Sequence, residues 1–269
     1  MDIRYLPLES SSRVTRAWAG IRFLNAYPLV RGLEDDLPDW KRYTAAPAEC
    51  AALLDSGKAD FALVPLMSAI LYRWPFLSDM GIACNGRVDS VKLISHADFR
   101  LLRSFKPDPA SMTANTLARL LYNIEFGRDI TPDPKSEDAE IVIGDRAFEA
   151  EGADQVDLGK AWNDETGLPF VFGVWAARDE QLLRSVAPLL KDRLTRNLAD
   201  VDGMIHGGSR LTGKLINIQE YLYRRLHYEL DSRDMLGMTT FVDLAHKYGF
   251  TPTRSLHAVS LAGAQPVGR

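Results

Sequence analysis

PAECAALLDSGKADFALVPL, residues 47–66, holds a helix signal followed directly by a strand signal. Pro47 suits the first position of a helix, where its missing N–H would have had no partner anyway. The helical stretch stops at Gly57, a residue type that favours the left-handed position just past a helix end. Residues 61–66 (FALVPL) are then short, continuously apolar and closed by Pro65, the pattern of a strand buried on both faces. A helix leading into a buried strand is one repeat of an α/β chain. Further signals of this kind lie on either side. Residues 17–24 (AWAGIRFL) are an apolar run followed by a turn at Asn25, with Pro28 placed to start a helix. Residues 139–144 (AEIVIG) are another buried-strand candidate, and 168–177 (LPFVFGVWAA) are the most strand-like segment of all. Leu117, Leu120, Leu121 and Ile124 recur at helical spacing behind the N-cap candidates Ser111 and Thr113. The C-terminal third reads as helical, with Leu211, Leu215, Ile218, Leu222 and Leu226 on one stripe and Phe241, Leu244, Ala245 and Tyr248 on another. Pro188 predicts a kink or break within 179–198, and Asn85-Gly86 predicts a hairpin. The alternation defines an α/β class with mostly parallel sheets flanked by helices.

The 269 residues suffice for one large domain or two compact ones. Signals restart near Phe99, and the strand near Phe170 marks a second crossing. Both point to two lobes, one interrupted by the other. The net charge of −4 counts against nucleic acid as a partner. Cys50 and Cys84 are too few for a disulfide framework or a four-cysteine metal site, and read as reduced, buried thiols. No apolar run approaches the ~20 residues that a membrane helix needs. MDIRYLPLESSSRVTR at the start lacks a continuous apolar segment and a small-residue cleavage site, so a cytosolic chain is expected. Residues 1–12 and 258–269 read as loose ends.

No glycine-rich dinucleotide or phosphate loop, H-E-x-x-H zinc motif or G-x-S-x-G elbow occurs. The histidines show no close ligand spacing, so no metal and no cofactor are expected. What remains is a set of small polar residues at element ends: Asn25, Ser68, Ser111, Thr113 and Asp145. In open α/β sheets, ligands bind outside the carboxyl ends of strands, where helix starts offer free N–H groups to anions. Local capping explains the same residue types at the same places. Ser90, in GRVDSVKLI, has no capping role to account for it. Arg22 is either a partner for a ligand carboxylate or a solvated surface charge.

In order along the chain, GIRFLNAYPLVRGL, the 47–66 segment, GRVDSVKLIS, DPASMTANTLARLL, IVIGDRAF, VDLGKAWNDETGLPFVFGVWAAR and YLYRRLHYELDSRDMLGMTTFVDLAHKYGF cover about residues 18–250. This series resembles the menaquinone-biosynthesis proteins of the futalosine route, and within them the chorismate dehydratases. The resemblance implies a two-lobed, type II periplasmic-binding-protein-like fold, with lobe one at 13–97 plus 170–257 and lobe two at 98–169. It implies a cleft that binds chorismate, a small dianion, and removes water to give 3-[(1-carboxyvinyl)oxy]benzoate. The catalytic Asn and Ser of the family fall on Asn25 and Ser90. Ser111, Thr113, Ser68, Arg22 and Asp145 become candidate substrate contacts. Where the family's helix start reads Ser-x-Thr-Ser, this chain has Ala114 in place of the last hydroxyl. Two other readings share the fold: a small-carboxylate-binding protein without catalysis, and the sister naphthoate synthase, whose motifs match less well.

Overall fold

A computed structural model describes residues 15–150, 154–213 and 216–261. The chain begins with β1 (Ala17–Ile21), a 3-10 turn, and the short helices α1 (Tyr27–Val30) and α2 (Leu33–Asp36). Then come β2 (Lys41–Ala45), α3 (Pro47–Asp55), β3 (Phe61–Pro65), α4 (Leu66–Tyr72) and β4 (Phe76–Cys84). The helix and strand expected within 47–66 both form. Pro47 opens α3, and Glu49 reaches back to accept the Ala46 N–H at 2.8 Å.

The chain then leaves this sheet. β5 (Val91–Ser95), β6 (Ser104–Phe105), α5 (Met112–Phe126), β7 (Thr131–Pro132), β8 (Ala139–Ile143), β9 (Asp154–Asp157) and α6 (Leu158–Thr166) follow. β5 pairs antiparallel with β8 on one side and β9 on the other. Asn85-Gly86 therefore does not close a hairpin, because the strands on either side of it belong to different sheets. Val91–Ser95 likewise sits with the 98–169 segment rather than with 13–97, since its backbone bonds all run to β8 and β9.

β10 (Phe170–Ala177) brings the chain back. After it come α7 (Glu180–Ala199), α8 (Val201–Thr212), α9 (Ile218–Glu220), β11 (Leu226–Glu229), α10 (Ser232–Lys247) and β12 (Ala258–Val259). The large sheet has the order β11-β4-β10-β3-β1-β2, with β12 on β4. Its β2-β1-β3 part is parallel. β10 and β11 run antiparallel to their neighbours; β10 does so because the chain returns from the smaller sheet at the end where it left, Phe170 pairing with Cys84.

Two local expectations give way to strand pairing, and a third, a break at Pro188, does not occur. Leu226 starts β11 instead of extending a helical stripe, since residues 221–225 form a π-helical turn that redirects the chain. Leu215 lies outside the described residues. Pro188 sits inside α7, which continues through it to Ala199. Ala258–Val259, expected to be loose, pairs with β4. The rest of that tail, 262–269, and the start, 1–14, lie outside the described residues.

Aromatic packing fixes both faces of β10. Trp175 meets Phe61 at 5.5 Å and Trp18 at 6.5 Å, in edge or tilted geometry. Phe170 meets Trp162 of α6 at 5.4 Å and Phe241 of α10 at 5.0 Å. β10 also approaches β4 closely. A Cβ on Gly81 would lie 2.6 Å from the Gly173 carbonyl oxygen, an atom fixed in the backbone. Gly81→Ala should therefore force these strands apart and cost about 1–3 kcal/mol, the range for overpacking a filled core. A thermal melt within a degree of wild type would show that the strands have slack that this geometry denies.

Candidate functional site

Two adjoining spaces separate the large sheet from the smaller one. The inner is a cavity of about 30 Å³. Ile21 and Pro65, at the carboxyl ends of β1 and β3, line it from the large sheet, and Val91 and Ile143 line it from the smaller one. Asn25 and Ser111 face it together. The outer space is an open recess of about 700 Å³, lined by Arg22, Glu49, Asp108, Asp145 and Arg146. Phe23 borders both.

Asn25 is carried by the 3-10 turn Leu24–Ala26 that follows β1. Its Oδ1 is buried and has no hydrogen-bond partner among the described residues. An unpaired buried acceptor costs roughly 1–3 kcal/mol, so this oxygen is a ready contact for a ligand O–H or N–H. Ser111 is the N-cap of α5, its Oγ accepting the Ala114 N–H at 3.1 Å. For Ser111 the capping and cavity readings both hold.

The remaining candidates divide between recess and walls. Arg22 is exposed, lines the recess and pairs with Glu49 at 3.4 Å. Asp145 also lines the recess, and its Oδ1 accepts the Leu24 N–H at 3.2 Å, joining the smaller-sheet side to the turn that carries Asn25. Thr113 is fully buried, and its Oγ1 accepts the Met67 N–H in the first turn of α4 at 3.0 Å. It ties two helix starts together and lines neither space. Ser68, in the same turn of α4, is buried and also lines neither. Ser90 is fully buried, with its Oγ 2.6 Å from the Tyr221 hydroxyl and its carbonyl accepting the Gly144 N–H at 2.9 Å. Its neighbour Val91 and its partner Gly144 both face the inner cavity.

The two thiols take no part in this arrangement. Burial pushes Cys50 up to about 12 and raises Cys84 further, so both stay protonated near neutrality.

Sequence reading missed four residues here. Arg146 projects into the recess and donates to the buried Asp108 carboxylate at 2.6 Å. Its only signal was its place beside Asp145. Tyr221 lies 131 residues from Ser90 in the chain, a separation that no local pattern reveals. Phe23 and Gly144 form the seam between the sheets, the Phe23 ring lying over Gly144, which is held at φ +65°.

The two-sheet architecture is the periplasmic-binding-protein fold. It is similar to the alkanesulfonate-binding protein from Xanthomonas axonopodis pv. citri bound to MOPS, with TM-score 0.62 and 14% identity over 93% of this chain and 100% of that one. A protein from Archaeoglobus fulgidus superposes with TM-score 0.69 at 10% identity, over 89% of this chain and 100% of that one. The chain belongs to the menaquinone biosynthesis family, whose model matches residues 18–247. It is 26% identical over 257 residues to a chorismate dehydratase of Thermus thermophilus, covering 82% of this chain and 92% of that relative. Among the described residues, no helix is long and apolar enough to cross a membrane.

The seam makes a testable demand. A Cβ on Gly144 would lie 2.8–3.0 Å from three Phe23 ring atoms, at a φ that L residues rarely adopt. Gly144→Ala should displace Phe23 and loosen the contact between the sheets, at a cost of roughly 1–3 kcal/mol from backbone strain alone. Small-angle scattering should give a larger radius of gyration than wild type. An unchanged radius and melting temperature would mean that this contact does not hold the sheets together.

Proposed function

We propose that this protein is a chorismate dehydratase, a hydro-lyase that converts chorismate to 3-[(1-carboxyvinyl)oxy]benzoate and water. The observation that carries the reading is the unpartnered, buried Asn25 Oδ1, facing a cavity at the carboxyl ends of β1 and β3. Membership of the menaquinone biosynthesis family and the likeness to a named dehydratase support it.

The reaction asks for positioning and proton transfer. The ring C–H proton passes to a base, the neighbouring C–O bond breaks, and the departing hydroxyl takes a proton to become water. Aromatisation supplies the driving force. Asn25 Oδ1 accepts a hydrogen bond from the substrate's ring hydroxyl and fixes the ring. Ser90 holds the enolpyruvyl carboxylate, which itself serves as base. Ser111 and the free N–H groups at the start of α5 hold the second carboxylate. Thr113 is occupied with Met67 and keeps a structural role. Arg22 and Arg146 lie in the outer recess, where a dianion first meets the protein.

A cavity of about 30 Å³ takes no more than a water-sized guest, whereas small-molecule sites span ~300–1,000 Å³. For chorismate to reach Asn25 Oδ1 in the inner cavity, the two sheets have to part. The lobes that move are the large-sheet body, about 15–84 with 170–261, and the smaller-sheet body, about 91–166, joined by segments beside Ser90 and Leu168.

Purified protein mixed with chorismate should produce the aromatic product, followed by absorbance and mass. Asn25→Ala and Ser90→Ala should each lower kcat/KM by ~10²-fold or more, the scale of lost positioning. Tight chorismate binding without product would favour a carboxylate-binding protein instead. Turnover of the cyclic futalosine-derived substrate would favour the sister synthase.

A further inference from the structure

We propose that Tyr221 is the positioning residue for Ser90, fixing the direction in which the buried serine hydroxyl donates to substrate once the sheets part. This rests on the dehydratase reading and adds a residue to it.

Ser90 is held at three points. Its N–H donates to the Val88 carbonyl at 2.8 Å, and its carbonyl accepts from Gly144 at 2.9 Å. Both bonds fix the backbone and leave the side chain free to rotate. The third contact is the Tyr221 hydroxyl, 2.6 Å from Oγ, with both residues buried. A phenol is a stronger acid than an alcohol, so the tyrosine donates and the serine oxygen accepts. With one lone pair occupied, the serine's own hydrogen is left to donate elsewhere. A carboxylate of the substrate is the acceptor that uses it.

Tyr221 itself is well placed to hold a fixed direction. It begins the π-helical turn of residues 221–225, a rare geometry that recurs at functional sites. Phe148, from the smaller-sheet side, packs edge-on against its ring at 4.8 Å and 90°. The tyrosine thus reaches Ser90 while touching the body that moves on opening.

Two observations separate holding from proton donation. Tyr221 is buried, and its hydroxyl is engaged with Ser90 at 2.6 Å. Burial above all raises its pKa; the Ser90 hydrogen bond lowers it in part, and the neighbouring Asp145, Asp89 and Cys84 add to the rise, so it remains a neutral donor through the working range.

The experiment compares wild type, Tyr221→Phe, Ser90→Ala and the double variant, all with chorismate. Phenylalanine keeps the ring packing and removes one hydroxyl. Tyr221→Phe should lower kcat about tenfold, as expected for losing one well-formed hydrogen bond. KM should stay within about twofold, and the pH profile should keep its shape. In the Ser90→Ala background, the second substitution should change kcat by less than about twofold, because its effect passes through the serine. Tyr223→Phe is the control, since the buried Tyr223 hydroxyl has no partner among the described residues; its kcat should match wild type. Multiplicative losses in the double variant, an unchanged kcat in Tyr221→Phe, an equal loss in Tyr223→Phe, or a displaced basic limb of the pH profile would each overturn the assignment. An inactive wild type would overturn the dehydratase reading first and this assignment with it. An active wild type with any of those four results overturns this assignment alone.

Discussion

The insertion of β10 between β3 and β4 is the constraint on which the rest of the fold depends. The chain leaves the large sheet after Cys84 and returns only at Phe170. The returning strand enters antiparallel between two strands made long before it. That slot is narrow: a Cβ on Gly81 of β4 would lie 2.6 Å from the Gly173 carbonyl oxygen of β10. Once β10 is seated, Gly173 stands beside Pro65 and Ile82, and the carboxyl ends of β1 and β3 acquire a third wall. The cavity that Asn25 faces exists because of this strand. The smaller sheet is tethered at both ends to the large one by the same excursion, which sets it opposite that wall.

Three hydrogen bonds between the two bodies share one pattern. The Leu24 N–H donates to Asp145, the Ala48 N–H to the Ala110 carbonyl, and the Met67 N–H to Thr113. All three donors sit at turn or helix starts on the large-sheet side, and all three acceptors come from the smaller-sheet side. Groups of this kind bind anions when a ligand is present. Here the protein's own oxygens take that place for these three amides. In the proposed function, opening would expose the donors, and a dianion would meet them with stronger, charge-assisted bonds. On that reading, a chain of net charge −4 would hold its dianion through local N–H groups and the two arginines of the recess.

What was legible in the sequence was whatever a local rule decides. Pro47 and the apolar run after Asp60 specify α3 and β3, because capping and burial act within a few residues. Asn25 at a strand end and Ser111 at a helix start were readable for the same reason. The failures share a cause. Asn85-Gly86 has a hairpin's composition, but pairing partners for β4 and β5 are chosen by sheets assembled from distant segments. Leu226 fits a helical stripe, yet a π turn and the open edge of β4 make it a strand. Thr113 had the signature of a cap and serves as an acceptor for a different helix, 46 residues away in the chain. Ser90 could be singled out only as unexplained. Its partner is Tyr221, which nothing in the surrounding sequence announces.

The hydroxyl missing at position 114 can be judged on the same physical terms. Ala114 has no exposed surface and lines neither the cavity nor the recess. Its N–H is already taken by the Ser111 cap. A serine there would bury a second hydroxyl beside that cap and would need a partner of its own. Asn115, one position on, supplies the local order instead: its side chain accepts the Asp108 N–H at 3.0 Å and donates to the Asp108 carbonyl at 2.9 Å. Those bonds hold the loop whose Asp108 carboxylate anchors Arg146 at the recess. The departure from the family pattern therefore falls on the support of the helix start. Ser111, the residue that faces the cavity, is retained.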